Sequence, residues 1–289
     1  LKQTINQYRI ALLILDSAVS NHAVGTFIEK HQDDILLVIA SNPFRKQAGG
    51  MRRLLRHYHC SGARFSLYLV YNFFIFPLIL KIHGLYCKLL GKTCRHLPVR
   101  ERCRRYGIDY HVSDDINHMV VSGLVRERQI DLIVTCFFDQ ILGAELIKAP
   151  RRGCLNMHPG LLPECRGVFP EFHVAAGNGS TFGITIHCID DATIDTGRIV
   201  VKKPVDIKSE TSMLNIGRKL LAEGVAVLDG VLARLDNHLA STVQQGTGAY
   251  YSFPSRADIG RIKGKGYKLL GITEVIRDII PLFLHDQRA

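Results

Sequence analysis

Asn156 and His158 stand two apart in the run Cys154 to Pro159, CLNMHP. On a strand such residues share one face, and the proline that follows ends the strand. An amide donor and an imidazole then project side by side at a strand end, an arrangement that suits an acyl carbonyl turning into an oxyanion. Asp195, in the later IDTG run, is the candidate carboxylate: it can orient His158, raise its pKa and accept a proton through water. The ordinary uses of these residues are a turn brace for Asp195 and a turn hydrogen bond for Asn156. His22, His31 and His187 have no such neighbours and read as structural, and Asp190 and Asp191 read as loop carboxylates rather than bases.

The surrounding pattern supplies the elements that must position these groups. Tyr8 to Leu15 and Ile35 to Ala40 are continuous apolar runs separated by a helical pattern ending at His31, so each predicts a strand covered on both faces. The rhythm resumes at Gly107 with a strand, a helix over Asp114 to Arg128 capped by Ser113, a strand over Asp131 to Cys136, and a short helix over Gly143 to Ile147. Cys154 to Met157, Thr181 to Ile189 and Val200 to Val205 predict further strands, and Phe169 to Ala176 a helix. Thr211 to Leu239 predicts one long amphipathic helix, followed by about fifty residues read as an extended tail containing YYSFP. The fold class is α/β, a doubly wound, mainly parallel sheet. Such sheets bind ligands at the carboxyl ends of their strands. The loop after the first strand lacks GxGxxG, which argues against a dinucleotide.

Residues 45–105 interrupt this rhythm. They hold fourteen Lys or Arg against one acid, Glu101, and at their centre Phe65 to Leu80 runs sixteen residues without a charge. A spanning helix needs about twenty apolar residues, so the segment is expected to be a helix packed on protein, or else an interfacial anchor with its arginines toward lipid phosphate. The whole chain has 289 residues, 47% of them apolar, and a formal charge of +11. This excludes a disordered or fibrous chain and favours an anionic partner. Eight cysteines without framework spacing read as free thiols of a reducing compartment. His83, Cys87, Cys94, His96 and Cys103 are spaced too irregularly for a structural zinc site, so no metal is expected. The run Ile10 to Leu15 reads as a strand rather than a leader.

The stretch CLNMHPGLLPECRG followed by IDTG resembles the formyltransferase family that uses 10-formyltetrahydrofolate, whose hallmarks are an Asn-x-His-Pro strand end, a Leu-Leu-Pro-x-x-Arg-Gly loop and a later Asp-x-Gly. Asn156, His158, Pro159, Leu161, Leu162, Pro163, Arg166, Gly167, Asp195 and Gly197 match. The likeness is good over 107–208 and loose over 8–43. DLIVTCFFDQIL resembles the family's pterin loop, and the glutamine and tyrosine run near 244–254 the tail of several members. Gly160 stands where Ser is common, Cys165 where Tyr is common, and Ala192-Thr193 lengthen a loop. The resemblance implies a Rossmann-like catalytic domain over 1–208, with the insertion inside it and a C-terminal extension over 209–289. It implies 10-formyltetrahydrofolate as co-substrate, held by the backbone around Phe138, Gln140, Ile141 and Leu142 and by the loop from Asp190 and Asp191 to Asp195.

On that resemblance the expected reaction moves a formyl group to a primary amine, with Asn156 and protonated His158 stabilising the oxyanion and Asp195 taking the amine proton through water. The expected acceptor is an amino sugar on a nucleotide or lipid carrier. Transfer RNA is disfavoured, because the family's initiator-tRNA enzymes append a C-terminal barrel. A hydroxyornithine-type amino acid is the alternative acceptor, and the competing class is a non-catalytic membrane-surface or nucleic-acid-binding protein on this scaffold. A homodimer and a cytoplasmic location at the inner face of the membrane complete the expectations.

Overall fold

The continuous apolar runs become the buried centre of a seven-stranded sheet. The structure is a computed structural model that describes residues 8–43, 50–91, 94, 97–179, 181–208 and 211–284. The insertion's residues 45–49, 92–93 and 95–96, His96 among them, lie outside the described residues.

In chain order the elements are β1 (Ile10–Ile14), α1 (Asn21–Lys30), β2 (Ile35–Ser41), α2 (Gly50–Ser61), α3 (Ala63–Val70), α4 (Phe76–Leu89), α5 (Val99–Arg105) and β3 (Asp109–Ser113). They continue with α6 (Met119–Glu127), β4 (Leu132–Cys136), α7 (Ala144–Ile147), β5 (Cys154–His158), β6 (Arg166–Gly167), α8 (Pro170–Ala176) and β7 (Gly183–Cys188). The chain ends in β8 (Ile199–Pro204), α9 (Met213–Leu232), α10 (Leu235–Ala240), β9 (Tyr250–Tyr251), α11 (Arg256–Gly264) and α12 (Ile272–Leu284). The sheet order is β3-β2-β1-β4-β5-β7-β8. The first five strands in that order are parallel, and β7 runs antiparallel to both its neighbours, β5 and β8. One face packs on α1, α8 and α9, with Leu12, Val38, Val134, Met157, Ile186, Phe172 and Leu220 in one core; the other packs Leu13, Ile39 and Ile133 against α6 and α7 residues such as Val125 and Leu146. This is the expected α/β, mainly parallel class.

Three expectations are corrected. The helix expected over Asp114 to Arg128 starts only at Met119, with His118 rather than Ser113 as its cap. The acids ahead of it are spent on a loop: Asp114 accepts from Asn42 at 2.7 Å and Asp115 from the Asn117 amide at 3.0 Å. The helix expected over Thr211 to Leu239 is broken at Arg234, whose φ of −141° leaves the helical region. The break lets the chain fold back, so that Val243 bridges Ile199 at the sheet edge. Finally, the expected extended tail is extended only as far as Ser255 and then forms the two helices α11 and α12. Its helices serve the insertion: Arg256 donates to the His59 and Tyr58 carbonyls at the end of α2, and Asp278 on α12 binds Arg218 and accepts from the Tyr71 hydroxyl at 2.8 Å. A basic insertion has little core of its own, and the tail covers part of it.

The uncharged run of the insertion is helical, as expected. α3 and α4 are joined by a π-helical turn over Tyr71–Ile75 into one rod. Asn72, which looks out of place in the sequence, explains the turn: its carbonyl accepts from Ala18 and its side-chain oxygen from Val19, both at 3.0 Å, so the helix caps the loop after β1. One stripe of the rod faces the protein, with Phe65 and Tyr68 packed edge-on against Phe172. A second stripe, Leu67, Phe74, Leu78, Ile82, Leu85 and Leu89, is exposed. Packing on protein therefore accounts for one face of this helix and leaves the other open.

Candidate active site

Strand β5 delivers Asn156 and His158 to the carboxyl edge of the sheet, and the loop between β7 and β8 brings Asp195 against them. Asp195 Oδ1 lies 3.3 Å from Asn156 Nδ2, and Oδ2 lies 3.5 Å from His158 Nδ1. The three residues converge as the sequence predicts. The loop that carries Asp195 is pinned at its ends, because Asp190 pairs with Arg198 at 2.9 Å. Gly197 packs against the end of β7, where a Cβ would sit 1.8 Å from the Cys188 carbonyl oxygen. Asp195 itself has φ +53°, a left-handed conformation that Asp adopts more readily than most residues.

Hydrogen bonds fix the orientation of each group. Thr135 donates to Asn156 Oδ1 at 2.7 Å, which turns the amide nitrogen toward Asp195 and toward His187 Nε2 at 3.0 Å. His158 Nε2 donates to the Cys165 carbonyl at 2.7 Å, so in the neutral ring the lone pair lies on Nδ1, facing Asp195. The Gly167 amide donates to Asp195 Oδ2 at 2.8 Å.

The electrostatics correct one expectation. Asp195 is buried, which alone would raise its pKa, but His158, His187 and the Gly167 amide hold it well below the usual carboxylate range. Burial lowers the pKa of His158, and the Asp195 charge offsets this only in part. The expected net rise is therefore reversed, because the imidazole lies almost wholly out of water. At neutral pH the site holds an ionised carboxylate beside a neutral imidazole.

A cavity of about 610 Å³ opens over these groups. Phe138, Gln140, Ile141, Leu142, Asp190 and Asp191 all line it. The Gln140 side chain, however, is spent on the scaffold: it accepts from the Ile116 amide at 2.8 Å and donates to Ser41 at 2.9 Å. Leu69, Val70, Phe73 and Phe74, from the insertion, form another wall. Among the described residues no Lys or Arg lines the cavity. Among the described residues of the tail, Phe253 alone reaches it. Tyr251 stacks on His173 at 4.6 Å and closes the scaffold, while Tyr250 is exposed.

Sequence reading missed His187, Thr135 and Glu171. His187 is the antiparallel partner of Asn156 across β5 and β7, and its Nε2 is 3.4 Å from Asp195; only the strand register reveals it. Glu171 opens α8, is 2% exposed in the cavity wall, and its Oε2 has no hydrogen-bond partner. Burial pushes its pKa up to about 7.

Residues 99–232 match a family model described as formyl transferase. The chain is 27% identical over 177 residues to a methionyl-tRNA formyltransferase of Ehrlichia ruminantium, covering 60% of this chain and 58% of that protein. It is 31% identical over 161 residues to one of Agathobacter rectalis, covering 55% and 49%. The chain spans about half the length of the curated relatives it matches. An N-formyltransferase from Helicobacter canadensis, solved in complex with folinic acid and dTDP-3-aminofucose, superposes with a TM-score of 0.52 at 15% identity, over 86% of this chain and 71% of that one. At that identity the likeness is one of fold.

Proposed function

Because residues 99–232 match a family model described as formyl transferase, we propose that the chain moves a formyl group from 10-formyltetrahydrofolate to a primary amine on an acceptor with an apolar carrier. What supports a folate there is the cavity, which is lined by residues 137–142 and by Ile189, Asp190, Asp191, Thr193, Ile194 and Asp195. Bound there, the folate supplies an activated formyl carbon. The remaining chemistry falls to the chain's own groups. Asn156 Nδ2 is the donor for the developing oxyanion. His158 Nδ1, neutral and carrying the lone pair, takes the proton of the attacking amine and returns it to the departing nitrogen of the donor as the old carbon–nitrogen bond breaks and the new amide remains. Asp195 stabilises the imidazolium that results, a role its low pKa suits better than that of a base.

The observation that carries the acceptor reading is the cavity wall. Part of it is built from the insertion's apolar groups Leu69, Val70, Phe73 and Phe74, and none of the described lining residues is a Lys or Arg that could pair there with a diphosphate. An amino sugar on a lipid carrier, with its phosphates at the basic surface outside, fits better than one on a free nucleotide. The test is release of tetrahydrofolate from 10-formyltetrahydrofolate in the presence of four acceptor sets: amino lipids in vesicles, nucleotide amino sugars, amino acids and methionyl initiator tRNA. The lipid arm is expected to turn over fastest. Turnover confined to any other arm overturns the acceptor reading, and none in any arm overturns the reaction.

Glu171 is placed to read that acceptor. Its unpartnered oxygen can accept from an amine or hydroxyl, and a bond to a charged group contributes about 1.5–3 kcal/mol. Glu171→Gln is expected to raise the acceptor KM about tenfold or more and to leave the folate KM unchanged. Steady-state kinetics with each substrate varied decide this. An equal change in both constants would make Glu171 a structural residue.

A further inference from the structure

Away from the cavity, the far end of the insertion gathers a second set of chemistry-bearing side chains. His83 and Cys87 stand four apart on α4, so they lie one above the other on the same face. Cys87 Sγ is 3.5 Å from His83 Nε2. Beyond the helix the chain turns at Gly91, whose φ of +64° favours glycine, and Cys94 comes back toward the pair. One ligand atom from each of the three residues lies within 4.8 Å of the others. All three side chains are buried.

We propose that His83, Cys87 and Cys94 bind one zinc ion, which clips the end of α4 to the segment leading into α5. Zinc bonds of about 2.3 Å to sulfur and 2.0–2.1 Å to nitrogen put neighbouring ligands of a tetrahedron roughly 3.5–3.8 Å apart. The His83–Cys87 edge already has that length, and the other edges need to close by about an ångström at most. The donor set excludes magnesium and calcium, which take oxygen ligands, and suits zinc. Binding releases the two thiol protons, and two thiolates then balance the charge of the buried ion.

The local packing gives the ion a purpose. Among the described residues the apolar cluster here consists of Cys87, Cys94 and Leu97 with Tyr86 against them, a small core for fixing a connection between two helices. The spacing of these residues looks irregular in sequence because the first pair is set by the helix and the third member by the turn. Cys103, weighed with them from the sequence, sits in the main core under α5 instead. His96 lies outside the described residues, and the fourth ligand position is left to water or a fourth side chain.

The test uses the full chain, purified without chelator and analysed for metal by mass spectrometry. About one zinc per chain is expected. Exchange for cobalt should give a thiolate-to-cobalt charge-transfer band, and the Cys87→Ala, Cys94→Ala double variant should lose both signals. If that variant does not fold, alkylation of the unaltered chain decides. Cys60, the exposed cysteine, should react at once, and Cys87 and Cys94 should react at least tenfold faster once a zinc chelator is added. Protein that takes up no zinc on dialysis, a folded double variant that keeps it, or alkylation of Cys87 and Cys94 that ignores the chelator would each overturn the site.

Discussion

Asp195→Asn is expected to lower turnover by about a hundredfold or more while the chain stays folded. Asn tolerates the left-handed backbone that Asp195 adopts, and its side-chain oxygen can still accept from the Gly167 amide. What disappears is the negative charge facing His158 Nδ1 at 3.5 Å, and with it the stabilisation of the imidazolium formed when the amine proton arrives. The acid limb of the rate profile follows from the same pair. Burial lowers the pKa of His158, so the neutral base persists below the ordinary histidine value of about 6.5, and the rate should fall only at lower pH. Stability responds on a different scale. Because the folded pKa of Asp195 is depressed, its contribution is present above the unfolded value of about 3.9 and is lost as pH falls through the folded value. The variant should therefore lack that part of the acid-side loss. Turnover with the verified acceptor, thermal melts and a pH series check all three. Unaltered turnover would reduce Asp195 to a turn residue.

The sequence carried the sheet better than its surroundings. Strands buried on both faces announce themselves as continuous apolar runs, and β1, β2, β4 and β5 fall within a residue or two of where those runs predict. The site's three leading residues were legible for a related reason: Asn156 and His158 are fixed by strand periodicity, and Asp195 by the glycine two positions on, where a side chain would strike the backbone. His187 was not legible, since its place beside Asn156 depends on an antiparallel pairing that no local pattern specifies. The break at Arg234 and the helices of the tail were missed because both depend on distant partners. The tail's helices dock on the insertion through Arg256, bonded to the end of α2, and Asp278, bonded to Tyr71, and an amphipathic pattern does not state its target.

The full chain is expected to float with anionic vesicles at low salt, and the Leu78→Glu, Ile82→Glu double variant to lose at least about a hundredfold of that binding. The outer stripe of the α3–α4 rod supplies the reason. Leu78 and Ile82 are both more than half exposed, and burying such a side chain is favourable by about 1.5–3 kcal/mol. The rod is 27 residues long, and one third of its most apolar stretch is buried in the protein. At about 1.5 Å per residue it is long enough to cross a bilayer, but its inner face is committed to the core through Phe65, Tyr68 and Tyr71, which favours lying in the interface over spanning it. Arg64, Lys81 and Lys88 are exposed along the same rod and would meet lipid phosphate, an attraction that salt weakens. The geometry also joins this surface to the chemistry, because Phe74 belongs to the exposed stripe and also lines the cavity. An acceptor held in the bilayer would then reach Asn156 and His158 along the helix expected to lie on that bilayer. If the chain stays at the bottom of the gradient with every vesicle, the stripe faces protein instead, and the molar mass in solution should show a second copy.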